Sequence, residues 1–410
     1  VKKWRVRPAR DEDIPAYAAI CKRCFTWGTD TVEELAEDFR ENPRGGVECI
    51  YVAEGENGLV GGLVNFPLRM YFRGRAVDCG GVAEVAVDPT VRRQGVAAAM
   101  MNWLLRREHR QGAPVSMLFP FRHDFYEAYG YGLISCSNDL RLRPTALPTF
   151  PERKLVRPLR DEDLHGVMRL HEASRRKVDF RFARNAAYWR KNLLTKERHL
   201  VVVEDRGRIS GYILFRYGIR DDRSCIWVSE MIASDERAYR AIVGFLSTQR
   251  EQVEGVRCSL NHDDPLRWLV SDPTDVKTEE RSFISPWFGG RVSLGLMLRF
   301  VRLGEALEGL HVNDIPAAFD LKLDDAQLPA NKKAIRVVAR KGALSVRKPF
   351  GSGSMLKTDS ATFSKIITGK VRVSDAVTWR KAQAPEPLAR RLDELFADPP
   401  PDGFLSLDIF

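Results

Sequence analysis

No stretch of these 410 residues approaches 18 consecutive apolar positions, so a transmembrane helix is not expected. The charged opening segment, Val1 to Arg10, is followed by no apolar core, which argues against a secretory signal peptide. Cysteine is scarce and odd in number at 7, a poor basis for a disulfide framework. Together these absences point to a cytoplasmic protein in a reducing compartment. Cys21 and Cys24 form a lone CxxC with no second pair to complete a zinc site. They read as helix packing, and no metal is expected. Charge of one sign is missing too: 65 Lys and Arg stand against 55 Asp and Glu, leaving +10. The two signs are mixed, as where Arg5, Arg7 and Arg10 meet Asp11, Glu12 and Asp13. With no aromatic and basic stripe or reader motif, the charge reads as a solvated surface and nucleic acid is not an expected partner.

What is present is core material and a repeat. Apolar residues make up 44%, with 8 Trp, 10 Tyr and 21 Phe, which excludes wholesale disorder. At roughly 100 to 200 residues per domain the chain is long enough for several domains. Val6-Arg-Pro-Ala-Arg-Asp-Glu-Asp-Ile14 recurs as Val156-Arg-Pro-Leu-Arg-Asp-Glu-Asp-Leu164, 150 residues later. That spacing is a domain length, so two copies of one fold in tandem are expected. Each copy opens with a short strand ending at Pro, an Asp placed to cap the next turn, and an apolar helix.

In the first copy a helix follows from Thr31 to Phe39, with Thr31 and Glu34 spaced as a capping box. Strands are expected near Cys49 to Ala53, Leu59 to Phe66, Gly81 to Val87 and Val115 to Phe119, with a helix striped by Val96, Met100 and Leu104. The second copy repeats this order, giving mixed α/β sheets. After about residue 301 short alternating strands take over, including Ala334 to Ala339 and Leu344 to Arg347 around a turn at Lys341-Gly342. The expected domains are therefore 1–150, 151–300 and 301–410.

The segment richest in chemistry is Glu84-Val-Ala-Val-Asp-Pro-Thr-Val-Arg-Arg-Gln-Gly-Val-Ala97. A β-branched strand stops at Pro89, and a basic turn containing Gly95 opens a helix. The free amides of residues 93 to 97 then face one point, which suits a pyrophosphate. Gly95 lets the backbone approach the anion, and Arg92 and Arg93 add charge. The plainer alternative is an ordinary strand-to-helix junction with a solvated basic turn. The second copy has Glu230-Met-Ile-Ala-Ser-Asp-Glu-Arg-Ala-Tyr239 at this place, with no glycine and no Arg-x-x-Gly-x-Ala, which argues for a degenerate copy.

Val-x-Val-x-Pro followed by Arg-x-x-Gly-x-Ala resembles the acetyl-CoA motif of the GNAT N-acetyltransferases. With the tandem copy, the Tyr126-x-x-Tyr-Gly-Tyr-Gly132 segment and the apolar C-terminus, the whole chain is similar to the Eis (enhanced intracellular survival) acetyltransferases. The resemblance implies two GNAT domains followed by a sterol-carrier-protein-like domain, an α/β (α+β) protein. It implies acetyl-CoA as cosubstrate, a cationic amine acceptor (an aminoglycoside, a polyamine or a lysine side chain) and a homo-hexamer. Val85, Ala86 and Val87 would grip the acetyl and pantetheine portion, and Arg92, Arg93, Gln94, Gly95, Val96 and Ala97 the pyrophosphate.

Tyr126 matches the family's general acid, and the α-carboxylate of Phe410 its terminal base. A phenol suits protonation of a departing thiolate, although Tyr126 also lies among aromatics that would pack it. Glu84 is the rival base, since many GNAT enzymes carry a Glu there whereas Eis proteins often have an apolar residue; a salt bridge is its plainer role. Phe25, Trp27 and Glu84 would form an aromatic and acidic pocket for an ammonium group. Against the enzyme reading stands a lipid or sterol carrier that uses the third domain alone, which leaves the basic turn unexplained.

Overall fold

The computed structural model describes residues 4–25, 30–220, 223–260, 264–271, 290–349 and 353–403. They fall into two compact units: the chain up to Ile134 with Gly295–Pro400, and Ser135–Leu294 with the short stretch that begins at Pro401. No helix among the described residues is long and apolar enough to cross a membrane.

The first unit opens with β1 (Arg5–Pro8), α1 (Ile14–Cys24), α2 (Val32–Arg40), β2 (Ile50–Gly55), β3 (Gly58–Phe72) and β4 (Arg75–Val87). It continues with α3 (Val96–Gln111), β5 (Val115–Leu118) and α4 (His123–Glu127). β1 to β4 form an antiparallel meander, and β5 joins β4 in parallel. The sheet is seven-stranded: after β5 come Met297–Phe300 and then Gly132–Leu133. Met100, Met101, Leu104 and Leu105 of α3 are fully buried, packed with Tyr51, Leu63, Val82 and Leu118 of the sheet. Helical spacing meets strand alternation there. α2 begins with the expected capping box: the Glu34 N–H donates to Thr31 Oγ1 at 3.1 Å and the Thr31 N–H to Glu34 Oε2 at 2.7 Å.

The repeated Arg-Asp-Glu-Asp segment does more than cap a turn. Asp13 precedes α1 without a side-chain bond to its amides. Its carboxylate instead takes the Arg10 N–H at 2.7 Å and the Arg7 guanidinium at 2.6 and 2.9 Å, while Arg7 Nε reaches Glu54 at 2.7 Å. Arg157, Asp163 and Glu204 build the same triangle 150 residues on. The Arg7 and Arg157 hydrogen bonds hold Asp13 and Asp163 below the usual carboxylate range. This charge-assisted, bidentate pair fastens strand to helix.

The second unit is also a seven-stranded sheet, ordered Gly290–Leu294, Cys136–Leu142, Gly255–Leu260, Arg223–Ala233, Arg208–Arg220, His199–Asp205, Val156–Pro158. Sheet membership thus crosses the expected boundaries at 150 and 300. Cys136–Leu142 pairs with Gly255–Leu260 in the second sheet, and Met297–Phe300 pairs with β5 in the first. The repeat marks where each copy starts; which strand closes its sheet is decided by pairing between segments far apart in sequence.

The C-terminal part of the first unit holds a five-stranded sheet, ordered Ala343–Arg347, Ile335–Arg340, Ala317–Asp324, Met355–Asp359, Ala382–Gln383. Its hairpin turns at Lys341 and Gly342 as expected. One fully buried ion pair joins it to the first sheet: Arg299 Nη2 lies 2.6 and 2.7 Å from the two carboxylate oxygens of Asp325. Asp325 also accepts from the Leu328 N–H at 2.9 Å and Asn331 Nδ2 at 3.0 Å, and Arg299 donates to Ser360. Every oxygen of the carboxylate is spoken for, the condition for a buried charge to be tolerated.

Glu108 on α3 is buried without such a partner. It is 1% exposed, and neither carboxyl oxygen has a hydrogen bond of normal geometry. Desolvation pushes it up to about 8, only partly opposed by nearby Ser116 and Asn65. The folded chain therefore holds a proton that the unfolded chain, with an ordinary Glu near 4.3, releases. Stability at this site is full below the unfolded value, falls as pH rises towards about 8, and is then flat. We expect Glu108→Gln to match the wild type at pH 4.5 and to exceed it by a few kcal/mol at pH 8 in urea titrations. Equal midpoints at both pH values would contradict a buried neutral Glu108.

Candidate active site

The site is built around an irregularity in β4. β4 pairs with β3 from Phe72↔Arg75 to Gly61↔Val87, but the register shifts once: Val64 faces Ala83, Gly62 faces Ala86, and Glu84 and Val85 are left out. This is a β-bulge, and Glu84 sits in it with a φ of 48°. On its other edge β4 pairs with β5 only from Cys79↔Val115 to Val82↔Leu118. Beyond Val82 it keeps one neighbour and loses the other. A strand edge released in this way offers its N–H and C=O groups to whatever enters the gap. Val85, Ala86 and Val87 lie on that released edge; Ala86 is buried and the two valines are half-buried.

After Val87 the chain turns sharply. Asp88 accepts from the Thr90 hydroxyl at 2.6 Å, the Thr90 N–H at 2.9 Å and Arg23 at 2.6 Å, which hold its carboxyl down at about 2. Arg92, Arg93 and Gln94 are exposed, and Arg93 has a φ of 61°. The Gln94 carbonyl accepts the Trp4 indole N–H at 3.0 Å, tying the turn to the start of the sheet. Gly95 caps α3 with a φ of 86° and no side-chain bond; the first intrahelical bond runs from Ala99 N–H to Gly95 O at 2.9 Å. The amides of Val96 and Ala97, the first of α3, lie at a helix start that no side chain of the N-cap occupies. A Cβ on Gly95 would meet no atom within 4 Å. Free amides, two guanidinium groups and open space fit a pyrophosphate.

Tyr126 of α4 is 3% exposed and lies edge-on to Phe125, Phe121 and Tyr131, with centroids 5.0, 5.6 and 6.1 Å away. Among the described residues its hydroxyl has no hydrogen-bond partner. Burial raises its phenol well above the ordinary value, so it stays protonated at neutral pH. The Glu84 side chain is open to solvent but hemmed in by protein, and desolvation raises its carboxyl above the usual range. Phe25 follows α1, half-buried, with its N–H on the Cys21 carbonyl at 2.8 Å. Trp27 and Phe410 lie outside the described residues.

Some contributors had no legible signal in the motif. Cys24, expected as packing, has its Sγ 3.2 Å from the Val87 carbonyl and 3.8 Å from Arg92 Nη2. Cys21 is buried, as expected. Arg23, Trp4 and Tyr17 reach β4 and its turn from 65 to 90 positions away in sequence.

The second copy keeps the frame and changes the chemistry. Glu230 takes the place of Glu84, but it is buried and bound by Arg184 at 2.6 Å and by the Tyr212 hydroxyl, with His171 Nε2 at 4.0 Å. The helix Glu236–Ser247 starts at Asp235, whose carboxylate accepts the Ala238 N–H at 2.8 Å. An anion already sits where a pyrophosphate would bind.

The chain also matches known families. Residues 5–134 match the family described as the acetyltransferase (GNAT) domain, and residues 181–299 match a second GNAT acetyltransferase domain family. Residues 303–402 match the sterol carrier protein domain. N-acetyltransferase Eis of Mycobacterium bovis (strain BCG / Pasteur 1173P2) is 25% identical over 363 residues, 84% of each chain, and so is that of Mycobacterium tuberculosis (strain ATCC 25177 / H37Ra). A GCN5-related N-acetyltransferase from Anabaena variabilis shares the fold with a TM-score of 0.86 at 21% identity, covering 99% of this chain and 100% of that one. Eis1 from Mycobacterium abscessus does so with a TM-score of 0.77 at 21% identity and the same coverage.

Fold and turn define a GNAT acetyltransferase, an enzyme class that moves an acetyl group from acetyl-CoA to an amine. Within it the chain is Eis-like, with matches to two GNAT domain families and a sterol carrier protein domain in one polypeptide.

The Gly95 geometry carries a direct test. Valine cannot hold a φ of 86° without strain, and its methyl groups would enter the open space at the helix start. We expect Gly95→Val to weaken CoA binding at least roughly tenfold by calorimetry, the cost of about one strained left-handed residue. Unchanged affinity would place the pyrophosphate elsewhere.

Proposed function

We propose that the first copy alone acetylates a primary amine of a cationic substrate, an aminoglycoside, a polyamine or a lysine side chain, using acetyl-CoA. The observation that carries this reading is the parting of β4 from β5 beyond Val82, beside a helix start whose amides no side chain occupies. Acetyl-CoA supplies the thioester. Val85, Ala86 and Val87 hold its acyl and pantetheine end by backbone hydrogen bonds, and the residues from Arg92 to Ala97 hold the diphosphate. A carboxylate takes the proton of the attacking ammonium: the terminal carboxylate of Phe410 is our choice, and Glu84 is the rival. Tyr126 gives its hydroxyl hydrogen bond to the departing sulfur. Its phenol lies above 10 and an ordinary thiol near 8.5, so Tyr126 acts by donating as charge develops rather than by surrendering its proton early. Phe25 and Trp27 supply aromatic walls for the ammonium. All seven cysteines are free, which suits the cytoplasmic setting expected for this chain.

Thiol release from acetyl-CoA over a panel of polyamines, aminoglycosides and lysine peptides tests the class of acceptor. Tyr126→Phe should lower kcat by about 10² with little change in CoA affinity, the usual weight of one general acid. A short extension after Phe410 should act likewise. Loss of activity in Glu84→Gln with full activity in the extended chain would make Glu84 the base and refute the role of Phe410.

Assembly belongs to the same proposal: a homo-hexamer. Light scattering should then give a mass several times 46.6 kDa, and a monomer at micromolar concentration would overturn it.

A further inference from the structure

Among the described residues of β4, Glu84 alone has a positive φ, and a carboxylate residue does not hold a φ of 48° by its own preference. Something must hold the Glu84–Val85 peptide in the bulge. The atom that does so comes from α1. Tyr17 donates its hydroxyl to the Glu84 carbonyl at 2.6 Å. Its ring is fully buried and stacked on Phe39 of α2, with centroids 5.1 Å apart and planes 19° from parallel. The ring also lies against Gly62, where an added Cβ would fall 2.5 Å from Tyr17 Cε2. Gly62 is the β3 residue next to the register shift, facing Ala86. The bare backbone at 62, the tyrosine from α1 and the bulge are therefore one fitted unit.

A trans peptide sends its N–H opposite to its C=O. With the Glu84 carbonyl held towards α1, the Val85 N–H points away from α1, and the register of neither β3 nor β5 takes in Val85. We infer that Tyr17 is a positioning residue for acetyl transfer: by fixing the Glu84 carbonyl it aims the Val85 N–H at the carbonyl oxygen of the thioester. The inference rests on the proposed placement of the acetyl end at Val85. When the amine attacks, negative charge grows on that oxygen, and a donor already in place gains strength there more than in the ground state. Burial keeps the Tyr17 phenol protonated, so the donor is present across the working pH range.

The second copy shows what changes when this device is absent. Val167 stands 150 residues after Tyr17, and Tyr212 pairs with Ile232 as Gly62 pairs with Ala86. Its buried hydroxyl donates to the Glu230 carboxylate, a side chain, and not to the carbonyl of the strand. Glu230 is paired with Leu214 rather than left out of the ladder, and Tyr212 binds its side chain, whereas in the first copy Tyr17 grips the backbone of the bulge.

Tyr17→Phe removes one oxygen and keeps the ring. We expect kcat to fall about tenfold or more, with the Kd of CoA itself, which has no acetyl group, within about twofold of wild type. The preference for acetyl-CoA over CoA should shrink. Phe39→Leu is the control, because it loosens the same packing without touching the hydroxyl: melting temperature should drop while kcat and CoA affinity hold. In a Glu84→Gly background, where glycine accepts a φ of 48° freely, adding Tyr17→Phe should alter the acetyl-CoA preference far less than it does alone. Wild-type kcat in Tyr17→Phe would overturn the inference, and so would equal losses of CoA and acetyl-CoA binding that track the melting temperature. If the wild type binds neither ligand, or binds CoA at the second copy, the placement of the site fails first and is recognised as such.

Discussion

Strand β4 must satisfy three demands at once, and the rest of the first GNAT copy is arranged around them. It stays paired with β3 to remain in the sheet, parts from β5 after Val82 to open a gap, and bulges at Glu84 so that a peptide leaves the ladder. Each demand costs hydrogen bonds or backbone strain, so each needs a partner elsewhere. Tyr17 holds the bulge, Arg23 and Thr90 hold the turn at Asp88, and Trp4 holds the loop at Gln94. Tyr17 and Arg23 belong to α1, Thr90 to the turn itself, and Trp4 lies just ahead of β1, so the first residues of the copy support this strand and turn from far away in sequence.

The interior meets polar groups in two opposite ways. Arg299 and Asp325 are both fully buried and matched to each other, with Ser360, Leu328 and Asn331 completing the set, so charge is retained. Glu108 is equally buried and lacks a matched cation, so it keeps its proton instead. The same low-dielectric environment produces an ion pair where donors converge and a neutral acid where they do not.

Duplication lets the two sites be compared on one frame. The Arg7, Asp13 and Glu54 triangle is reproduced 150 residues later, because it fastens strand to helix and serves both copies. The helix starts differ: Gly95 leaves its amides free, and Asp235 occupies its own. The glutamates differ as well: Glu84 lies in the bulge and is open to solvent, whereas Glu230 is paired with Leu214 and locked by Arg184 and Tyr212. The scaffold contacts are alike in the two copies, while the helix starts and the glutamates are not.

The sequence by itself determined the tandem repeat, the strand-to-helix junction with its basic turn, the capping box of α2 and the stripe of α3, because each is written in neighbours a few residues apart, where strand and helix periods act. It also carried the likeness to the Eis acetyltransferases, since the turn motif is contiguous. Tertiary structure alone decided that Cys136–Leu142 and Met297–Phe300 close the sheets they do, that Asp13 binds the Arg7 side chain, and that Tyr17 holds Glu84. A pairing partner or a hydroxyl arriving from 67 residues away leaves no mark in local periodicity. Only the folded chain brings such groups within hydrogen-bond reach, and there burial and geometry choose among partners that the sequence leaves equal.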